Sequence, residues 1–174
     1  MNKVLRLGML MGLTLFVVAC TGPSAGHDTG TILLSPYTNE TMSITTMVPQ
    51  DWAEVQPGEF HRGSSPVDAT TLILVALPRM TPDEMANLAV AQLGLDQLPE
   101  STAVYHSPHL TWHLYAFDMD RPEAGMLRAD LALAEGEAAS YVILAAAYTY
   151  DYERNPALFE TVFLHTLHAF APLE

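Results

Sequence analysis

Three histidines lie close together in the sequence, at a spacing that suits metal ligands. His106, His109 and His113 read H-x2-H-x3-H, and histidines that converge in space bind zinc or copper. On one β-strand only His109 and His113 share a face, about 13 Å apart at roughly 3.3 Å per residue, which is too far for a single ion. A turn at Pro108 would bring His106 toward His109, so these two are the metal candidates. The interpretation we favour is that they are structural histidines of a sheet.

A second histidine pair, His165 and His168, lies three residues apart near the end of the sequence. On a helix this spacing places both rings at neighbouring positions of one face, where they would hold a metal ion together with a third ligand. The sequence offers no evident third ligand. Histidines near the C-terminal end of a helix also complement its dipole, and we favour this structural role.

Two acidic pairs, Asp118/Asp120 and Asp151/Glu153, lie at the ends of predicted strands. Paired carboxylates can divide acid and base roles between them, or bind calcium together with loop carbonyls. A calcium loop needs more oxygen ligands at fixed spacing, and Arg121 beside Asp120 offers an ordinary ion pair. We therefore interpret these carboxylates as solvated loop charges.

A serine, a histidine and an acid also coincide locally, because Ser64 and Ser65 lie near His61 and Asp68. A catalytic triad needs such groups to converge in three dimensions beside an oxyanion hole. Residues this close in sequence rarely do so. No catalytic residue is assigned.

Aromatic residues are frequent in the second half of the chain, and tyrosines at strand ends could line a groove for a ligand or partner. They more often fill the space between a sheet and its helices, which is the interpretation we favour. The ligand-binding residues are therefore left unknown. The aromatic candidates are Tyr105, Tyr115, Phe117, Tyr141, Tyr148, Tyr150 and Tyr152.

The only cysteine, Cys20, follows a short apolar run. Lys3 and Arg6 precede an apolar stretch over residues 7–19, which is shorter than the about 20 residues of a bilayer-spanning helix and typical of a secretory signal. The run ends in "VVAC", which resembles the bacterial lipobox. The resemblance implies cleavage before Cys20, a diacylglycerol thioether on its sulfur and, often, a fatty acyl chain such as palmitate on the new amino terminus.

Lipidation would determine where the protein works. Two or three acyl chains hold a protein stably on a membrane, and a lipidated Cys20 leaves no free thiol and no disulfide within one mature chain. We predict a signal peptide at 1–19, a flexible tether at 20–30 and one domain at 31–174. We expect this domain on the extracytoplasmic face of the cell envelope, periplasmic or at the cell surface.

The mature chain is strongly acidic. Removal of residues 1–19 from the 174 leaves 155 residues, with five arginines, no lysine and all 20 acidic residues, hence a formal charge of −15. Such a surface repels nucleic acid, so no nucleic-acid partner is expected. The absence of lysine from this region excludes a P-loop lysine, a Schiff-base lysine and the Ser-x-x-Lys pair of penicillin-recognising enzymes.

The elements that would position these residues can be predicted from periodicity. Residues 31–35 and 40–49 have strand composition, and the second stretch alternates apolar and polar residues up to Pro49. A hairpin is predicted from "EFHRG" and "TTLILVALP", joined by the turn-rich "SSPVDA". Residues 72–77 are apolar without alternation, which indicates a strand covered on both faces.

The segment "MTPDEMANLAVAQLG" contains the clearest helix signals. Thr81 can cap the helix, with Pro82 at its first position and Glu84 completing a capping box. Gly94 is expected to end it. The predicted apolar face consists of Met85, Leu88, Ala89 and Leu93.

Strands are also predicted at 102–106, 109–118 and 126–135, and "ASYVILAAAYTY" is apolar on both faces, as a central strand should be. In the strand at 126–135, the residues expected to point inward are Leu127, Ala129, Leu131 and Leu133. Asn155 is expected to cap a final helix with Pro156 in its first turn. The apolar stripe of that helix is Phe159, Val162, Phe163, Leu167 and Phe170. This succession indicates an α+β sandwich with mainly antiparallel strands.

The same architecture is implied by a family resemblance. The segment "SITTMVPQDWAEV" is similar to the Ser-Ile-x-x-x-x-Pro-x-x-Trp start of PsbP-like domains, which share the fold of the extrinsic photosystem protein PsbP. The ending "LFETVFLHTLHAFAP" resembles such domains in bacterial lipoproteins, whereas the family's usual Gly before the Trp is Asp51 here. The resemblance covers residues 31–172 and implies an α/β/α sandwich with a curved, mainly antiparallel sheet. It implies no shared set of catalytic residues.

Together these observations predict a membrane-anchored, extracytoplasmic, non-catalytic domain that binds a partner protein or an envelope ligand. No cofactor is expected. The expected partners are the membrane, through the lipid anchor, and another protein. The alternative is a small hydrolase or a metal-binding lipoprotein that uses His and Asp loop residues.

Overall fold

The computed structural model describes residues 32–62, 68–121 and 125–173. The predicted signal peptide, the tether and Cys20 lie outside the described residues. The strands are Leu34–Asn39 (β1), Ile44–Pro49 (β2), Trp52–Gln56 (β3), Glu59–Arg62 (β4), Thr71–Pro78 (β5), Ala103–His106 (β6), Thr111–Arg121 (β7), Gly125–Glu135 (β8), Ala139–Tyr148 (β9) and Ala171–Pro172 (β10). The helices are Pro82–Leu93 (α1), Thr149–Arg154 (α2) and Pro156–Ala169 (α3).

Seven strands form one open, antiparallel sheet in the order β3-β4-β5-β9-β8-β7-β6. The two strands predicted to be covered on both faces, β5 and β9, pair along the whole length of β5, from Thr71 opposite Ala146 to Pro78 opposite Ala139. β9 occupies the middle of the sheet. The prediction for both strands is confirmed, because only a strand without a solvent-facing side can be apolar throughout.

The remaining strands form a small sheet in the order β1-β2-β10. The alternation predicted for β2 is present, with Ile44, Thr46 and Val48 buried. β1 covers Leu34–Asn39 instead of the predicted 31–35. Pro36 is tolerated inside it because β1 is an outer strand of this sheet, where a missing N–H need not break a ladder.

Helix α3 is joined to β2 by a reciprocal pair of threonine hydrogen bonds. Thr46 Oγ1 donates to the Thr166 carbonyl at 2.7 Å, and Thr166 Oγ1 donates to the Met47 carbonyl at 2.9 Å. Both threonines are buried. Thr166 lies in the last turn of α3, where backbone carbonyls lack an intrahelical partner, so Thr46 satisfies an acceptor that the helix leaves open.

Helix α1 begins and ends as predicted. Thr81 Oγ1 accepts from the Glu84 N–H at 3.3 Å, and Glu84 Oε2 accepts from the Thr81 N–H at 2.8 Å, which completes the capping box. Gly94 follows at φ +66°, the left-handed conformation that glycine adopts without strain. Of the predicted apolar face, Met85, Ala89 and Leu93 are buried and Leu88 is half-buried.

The segment predicted as one strand, "ASYVILAAAYTY", changes to the short helix α2 after Tyr148. Asn155 ends α2, because its N–H donates to the carbonyls of Asp151 and Tyr152, and it starts α3, because its carbonyl accepts from the Leu158 N–H. Its side chain makes no capping hydrogen bond, so the predicted side-chain cap is wrong. The backbone of Asn155 is committed to joining two helices, which leaves its side chain away from the first turn of α3.

Helices α1 and α3 cover opposite faces of the seven-stranded sheet. The buried face of α1 packs with Leu127, Ala129, Leu131 and Leu133 of β8, which point inward as predicted. The stripe of α3 packs on the other face together with the small sheet, and Phe170 contacts Trp112 and Tyr141 edge-on, with ring centroids 5.2 and 5.0 Å apart. The α+β class and the α/β/α sandwich predicted from the sequence are confirmed.

Candidate functional site at one end of the sheet

A wide cavity opens where several strands of the seven-stranded sheet end, and its volume is 1460 Å³. Its wall consists of the end of β5, the β6–β7 turn, the β8–β9 turn, the β1–β2 turn and the C-terminal residues 172–173. Loops from distant parts of the sequence therefore meet at one concave surface. Such a surface, held by a rigid sheet, is the usual position of a binding site.

Both metal candidates, His106 and His109, line this cavity. His109 lies in the β6–β7 turn and not on a strand, because β7 begins at Thr111 instead of residue 109. His106 Nδ1 is 3.1 Å from Thr111 Oγ1, while His113 is half-buried on β7 outside the cavity wall. Across residues 32–62, 68–121 and 125–173, no group of three or more His, Cys, Asp or Glu is placed to hold a metal ion.

Ser107 holds the β6–β7 turn through its hydroxyl. The Ser107 Oγ donates to the Leu110 carbonyl at 3.0 Å and accepts from the Leu110 N–H at 3.1 Å and from Trp112 Nε1 at 3.3 Å. One donor and two acceptor positions are all that a hydroxyl offers. Ser107 therefore positions the turn and is not available as a nucleophile, although it lies between two histidines of the cavity wall.

Besides the histidines, three charged side chains line the cavity: Arg79, Glu135 and Glu137. Arg79 Nε and Nη2 donate to one oxygen of Glu135 at 3.1 and 2.9 Å, so this pair is neutral as a whole. Glu137 is exposed in the β8–β9 turn. The wall is therefore neutral to acidic when the histidines are uncharged.

The buried residues that line the cavity are apolar. Leu110 and Tyr141 are both almost fully buried, and burial raises the pKa of the Tyr141 phenol, which stays neutral. Gly136 of the β8–β9 turn lies against this ring, because a Cβ at that position would come within 2.9 Å of both Tyr141 Cε2 and the Ala139 carbonyl oxygen. A polar rim over an apolar base is the composition of a ligand-binding or active site.

A second polar cluster lies away from the cavity and was not predicted from the sequence. The Tyr152 hydroxyl donates to Asp130 Oδ2 at 2.5 Å, and the Arg128 guanidinium lies 5.9 Å from the centre of the Tyr152 ring. Burial raises the pKa of the Asp130 carboxyl, and the Tyr152 hydrogen bond and Arg128 oppose this. Burial and the Asp130 carboxylate raise the pKa of Tyr152, so the phenol stays protonated and remains a donor.

This cluster was missed because no helix was predicted over α2: its first two residues were assigned to the preceding strand, and Asp151 and Glu153 to a loop. Arg128 and Asp130 occupy the alternate positions of β8, opposite the inward-pointing leucines. Alternation alone places them on a solvent face. The tyrosines at 148, 150 and 152 have the two-residue spacing of a strand, so no local pattern indicated that a helix turns Tyr152 back over β8.

The predicted acidic pairs do not lie in loops. Strand β7 continues through Asp118 and Asp120, and Asp151 and Glu153 belong to α2. Asp151 accepts a hydrogen bond from Arg62 Nη2 at 3.2 Å. None of these four carboxylates lines the cavity, so the structure separates them from the candidate site.

The serine, histidine and acid near residue 65 have different partners. The serines at 64 and 65 lie outside the described residues. His61 Nε2 is 2.7 Å from Glu59 Oε1, whereas Asp68 accepts from Arg62 Nε and Nη2 at 2.7 and 3.2 Å. His61 is therefore engaged with Glu59 and Asp68 with Arg62, so the two do not form one site.

The aromatic residues are distributed over both faces of the sheet. Of the seven candidates, Tyr141 lines the cavity and the others lie elsewhere. The Tyr105 hydroxyl is 3.1 Å from His168 Nδ1, and Tyr152 stacks on Phe159 with ring centroids 4.8 Å apart. His165 is exposed. Tyr150 is 55% exposed. The role favoured from the sequence, filling the space between sheet and helices, holds for Tyr105, Tyr115, Phe117, Tyr141 and Tyr148, which belong to or pack against the two core clusters.

No protein-family model matches the sequence, and no curated protein matches it. Solved structures match its fold. The solution structure of the cyanobacterial PsbP protein CyanoP from Synechocystis covers 86% of this chain and 98% of its own, with a TM-score of 0.53 and 13% identity. The crystal structure of LpqN, involved in cell envelope biogenesis in Mycobacterium tuberculosis, covers 82% of this chain and 93% of its own, with a TM-score of 0.50 and 14% identity. The fold is PsbP-like.

Proposed function

We propose that this chain is a lipid-anchored, extracytoplasmic domain that binds a partner protein through the cavity at the end of its sheet and carries out no catalysis. The observation that carries the proposal is the cavity itself. At 1460 Å³ it exceeds the roughly 300–1,000 Å³ of a small-molecule pocket. A segment of another protein fits a surface of that size and mixed polarity better than a small substrate does.

The state of the polar groups in the cavity supports binding rather than catalysis. The Ser107 hydroxyl holds a turn, Arg79 is paired with Glu135, and His106 contacts Thr111. A nucleophile beside a base, or a base oriented by a third group, is what covalent and acid–base catalysis require. Among the described cavity residues the one histidine beside a hydroxyl is His106 with Thr111, and no hydrogen bond from a third side chain orients that histidine.

The anchoring rests on Cys20 and the lipobox-like residues before it. In the described part of the chain, no helix is long and apolar enough to cross a bilayer. A relation in fold to LpqN, which is involved in cell envelope biogenesis, is compatible with this location. Two or more acyl chains would give stable attachment.

The partner is tested by site-specific photocrosslinking in intact cells. A photoreactive amino acid replaces Glu137 at the cavity rim and, as a matched control, Asp83, an exposed acidic residue on α1. We expect a discrete crosslinked product from position 137 and none from position 83. The same product from both positions, or none from 137, would contradict binding through the cavity.

The anchor is tested separately by cell fractionation of a Cys20→Ala variant. We expect the variant to leave the membrane fraction, because the sulfur that carries the lipid is removed. Thr21→Ala is the matched control and should remain membrane-bound. Retention of Cys20→Ala in the membrane would overturn the anchoring and leave the cavity result unaffected.

A further inference from the structure

The seven-stranded sheet has one edge that is open to another strand. β6 is the last strand in the order and, among the residues that the structure describes, pairs with β7 alone, in an unbroken register from Ala103 opposite Leu114 to His106 opposite Thr111. Val104 in its centre is 50% exposed. Such an edge presents unpaired backbone donors and acceptors to solvent.

The hydrogen-bond pattern identifies which backbone groups face outward. The Ser107 N–H donates to the Leu110 carbonyl at 2.9 Å, so the backbone N–H and C=O of Ser107 face the β7 side. In an antiparallel pair, the backbone groups of successive residues alternate between bonding to the partner strand and pointing away from it. The backbone N–H and C=O of Tyr105 therefore also face β7. The N–H and C=O of Val104 and His106 therefore point away from the sheet.

The opposite edge, β3, is blunted in a way that β6 is not. The register of β3 shifts between Glu54 and Gln56, which is a bulge that breaks regular pairing. Glu54 also accepts a hydrogen bond from the Tyr37 hydroxyl at 2.6 Å, which ties β3 to the small sheet. β6 contains no bulge, proline, lysine or acidic residue.

The open edge leads into the candidate site, because His106 at the end of β6 lines the cavity. We propose that β6 receives an extended segment of the partner protein as an eighth strand, and that this segment carries a basic residue beyond the paired part, which reaches Glu137. This inference rests on the proposed function and names its mode of recognition. Strand addition supplies affinity through the backbone, and the cavity supplies specificity through a side chain.

Charge favours a foreign segment over a second copy of this chain. Residues 20–174 carry a formal charge of −15, so two copies repel each other at low ionic strength. A neutral or basic strand is attracted to the same surface. Glu137, in the β8–β9 turn on the rim of the same cavity, adds to that preference for the part of the segment that continues past the paired residues.

The test uses the full chain in detergent micelles and two synthetic peptides. One alternates valine and threonine and ends in arginine, and the other carries glutamate instead of arginine. We expect saturating arginine peptide to slow hydrogen exchange of the Val104 and His106 amides at least tenfold. The glutamate peptide should bind at least tenfold more weakly at low salt.

Val104→Pro removes one outward N–H at an edge position that tolerates proline. It should weaken binding of the peptide that ends in arginine at least tenfold. Val104→Thr keeps the N–H and the β-branched shape and should change affinity less than threefold. N-methylation of the pairing edge of the peptide tests the same bonds without changing the protein, and should abolish binding. Equal binding of the methylated peptide would overturn the proposal. So would slower hydrogen exchange of the Val104 amide when only the protein concentration is raised.

The cellular experiment separates this inference from the proposed function. Val104→Pro is introduced into the chain that carries the photoreactive residue at 137. Loss of the crosslink supports strand addition, whereas its retention overturns strand addition and leaves binding through the cavity intact. Absence of the crosslink without Val104→Pro overturns the proposed function itself.

Discussion

Removal of the Tyr152 hydroxyl is expected to destabilise the fold, and to do so more at neutral than at acid pH. In Tyr152→Phe the ring keeps its stacking on Phe159, and only the 2.5 Å hydrogen bond to Asp130 is lost. A hydrogen bond to a charged group contributes about 1.5–3 kcal/mol, and one between neutral groups about 0.5–1.5 kcal/mol. We therefore expect Tyr152→Phe to lower the free energy of unfolding by about 1.5–3 kcal/mol at pH 7. Below pH 3.5, where Asp130 is protonated, the loss should be about 0.5–1.5 kcal/mol.

The pH dependence follows from the pKa of Asp130, which burial raises above its unfolded value. Protonation of this group therefore favours the folded state, and its contribution is fully present below an unfolded pKa of about 3.9. That contribution is lost as the pH rises through the folded pKa. The Tyr152 bond lowers the folded pKa, so Tyr152→Phe raises it further and enlarges the loss at neutral pH.

The measurement is urea unfolding of the variant and of the unmodified chain at pH 7 and pH 3, followed by tryptophan fluorescence. Tyr150→Phe is the matched control, since Tyr150 lies on the same helix with its side chain exposed, and should change the free energy of unfolding by less than about 0.5 kcal/mol. An equal loss for Tyr152→Phe at the two pH values, or no loss at pH 7, would refute this reasoning.

Three further outcomes are expected. Gly125→Ala should lower the free energy of unfolding by about 1–2 kcal/mol, because Gly125 has a φ of +81° with open space around its Cβ position. Gly58→Ala, at a φ of +80°, should lower it by about 1–3 kcal/mol more, because the added Cβ would lie 2.6 Å from the Leu74 carbonyl oxygen. Equal losses of the two variants in urea unfolding would contradict this close approach. Thr46→Val should lower the free energy of unfolding by about 1–3 kcal/mol, because it leaves the Thr166 carbonyl unsatisfied. The control is Thr161→Val at an exposed position of α3, which should cost less than about 0.5 kcal/mol; equal losses for the two variants in urea unfolding would contradict the role of the Thr46 hydroxyl. Zinc at 100 μM should not raise the melting temperature, because a ligand stabilises the fold by RT ln(1 + [L]/Kd) and the described residues place no third His, Cys, Asp or Glu beside the two cavity histidines; a rise of several degrees that is lost in His109→Ala would support the metal-binding alternative.

The parts of the fold that depend on local signals were predicted from the sequence. The capping box at Thr81, the glycine stop at Gly94 and the apolar runs of β5 and β9 each express a preference of neighbouring residues. The order of the sheet and the small sheet could not be predicted in this way. They depend on pairings such as Ala171 with Thr45, which join residues far apart in the chain.

The candidate site was predicted only in part for the same reason. His106 and His109 were selected by their spacing, and both line the cavity. Their surroundings come from the β8–β9 turn, the end of β5 and the C-terminal residues, whose convergence no local pattern encodes. The burial of Asp130 was equally hidden, because it depends on α2 turning Tyr152 back over β8.

Strand β2 has one end beside the cavity and the other end where the described part of the chain begins. At one end of β2 the Leu33 carbonyl accepts from the Gln50 N–H at 2.8 Å, and at the other the Ser43 carbonyl, beside the cavity, accepts from the Leu173 N–H at 2.7 Å. The six residues of β2 separate these ends by about 20 Å at roughly 3.4 Å per residue. A lipid on Cys20 would be joined to the end remote from the cavity through residues 20–32, which reach at most roughly 45 Å when fully extended. Because this reach is about twice the distance between the two ends, such an anchor would leave the cavity mouth and the open edge at His106 free to turn toward a partner in the same membrane or away from it.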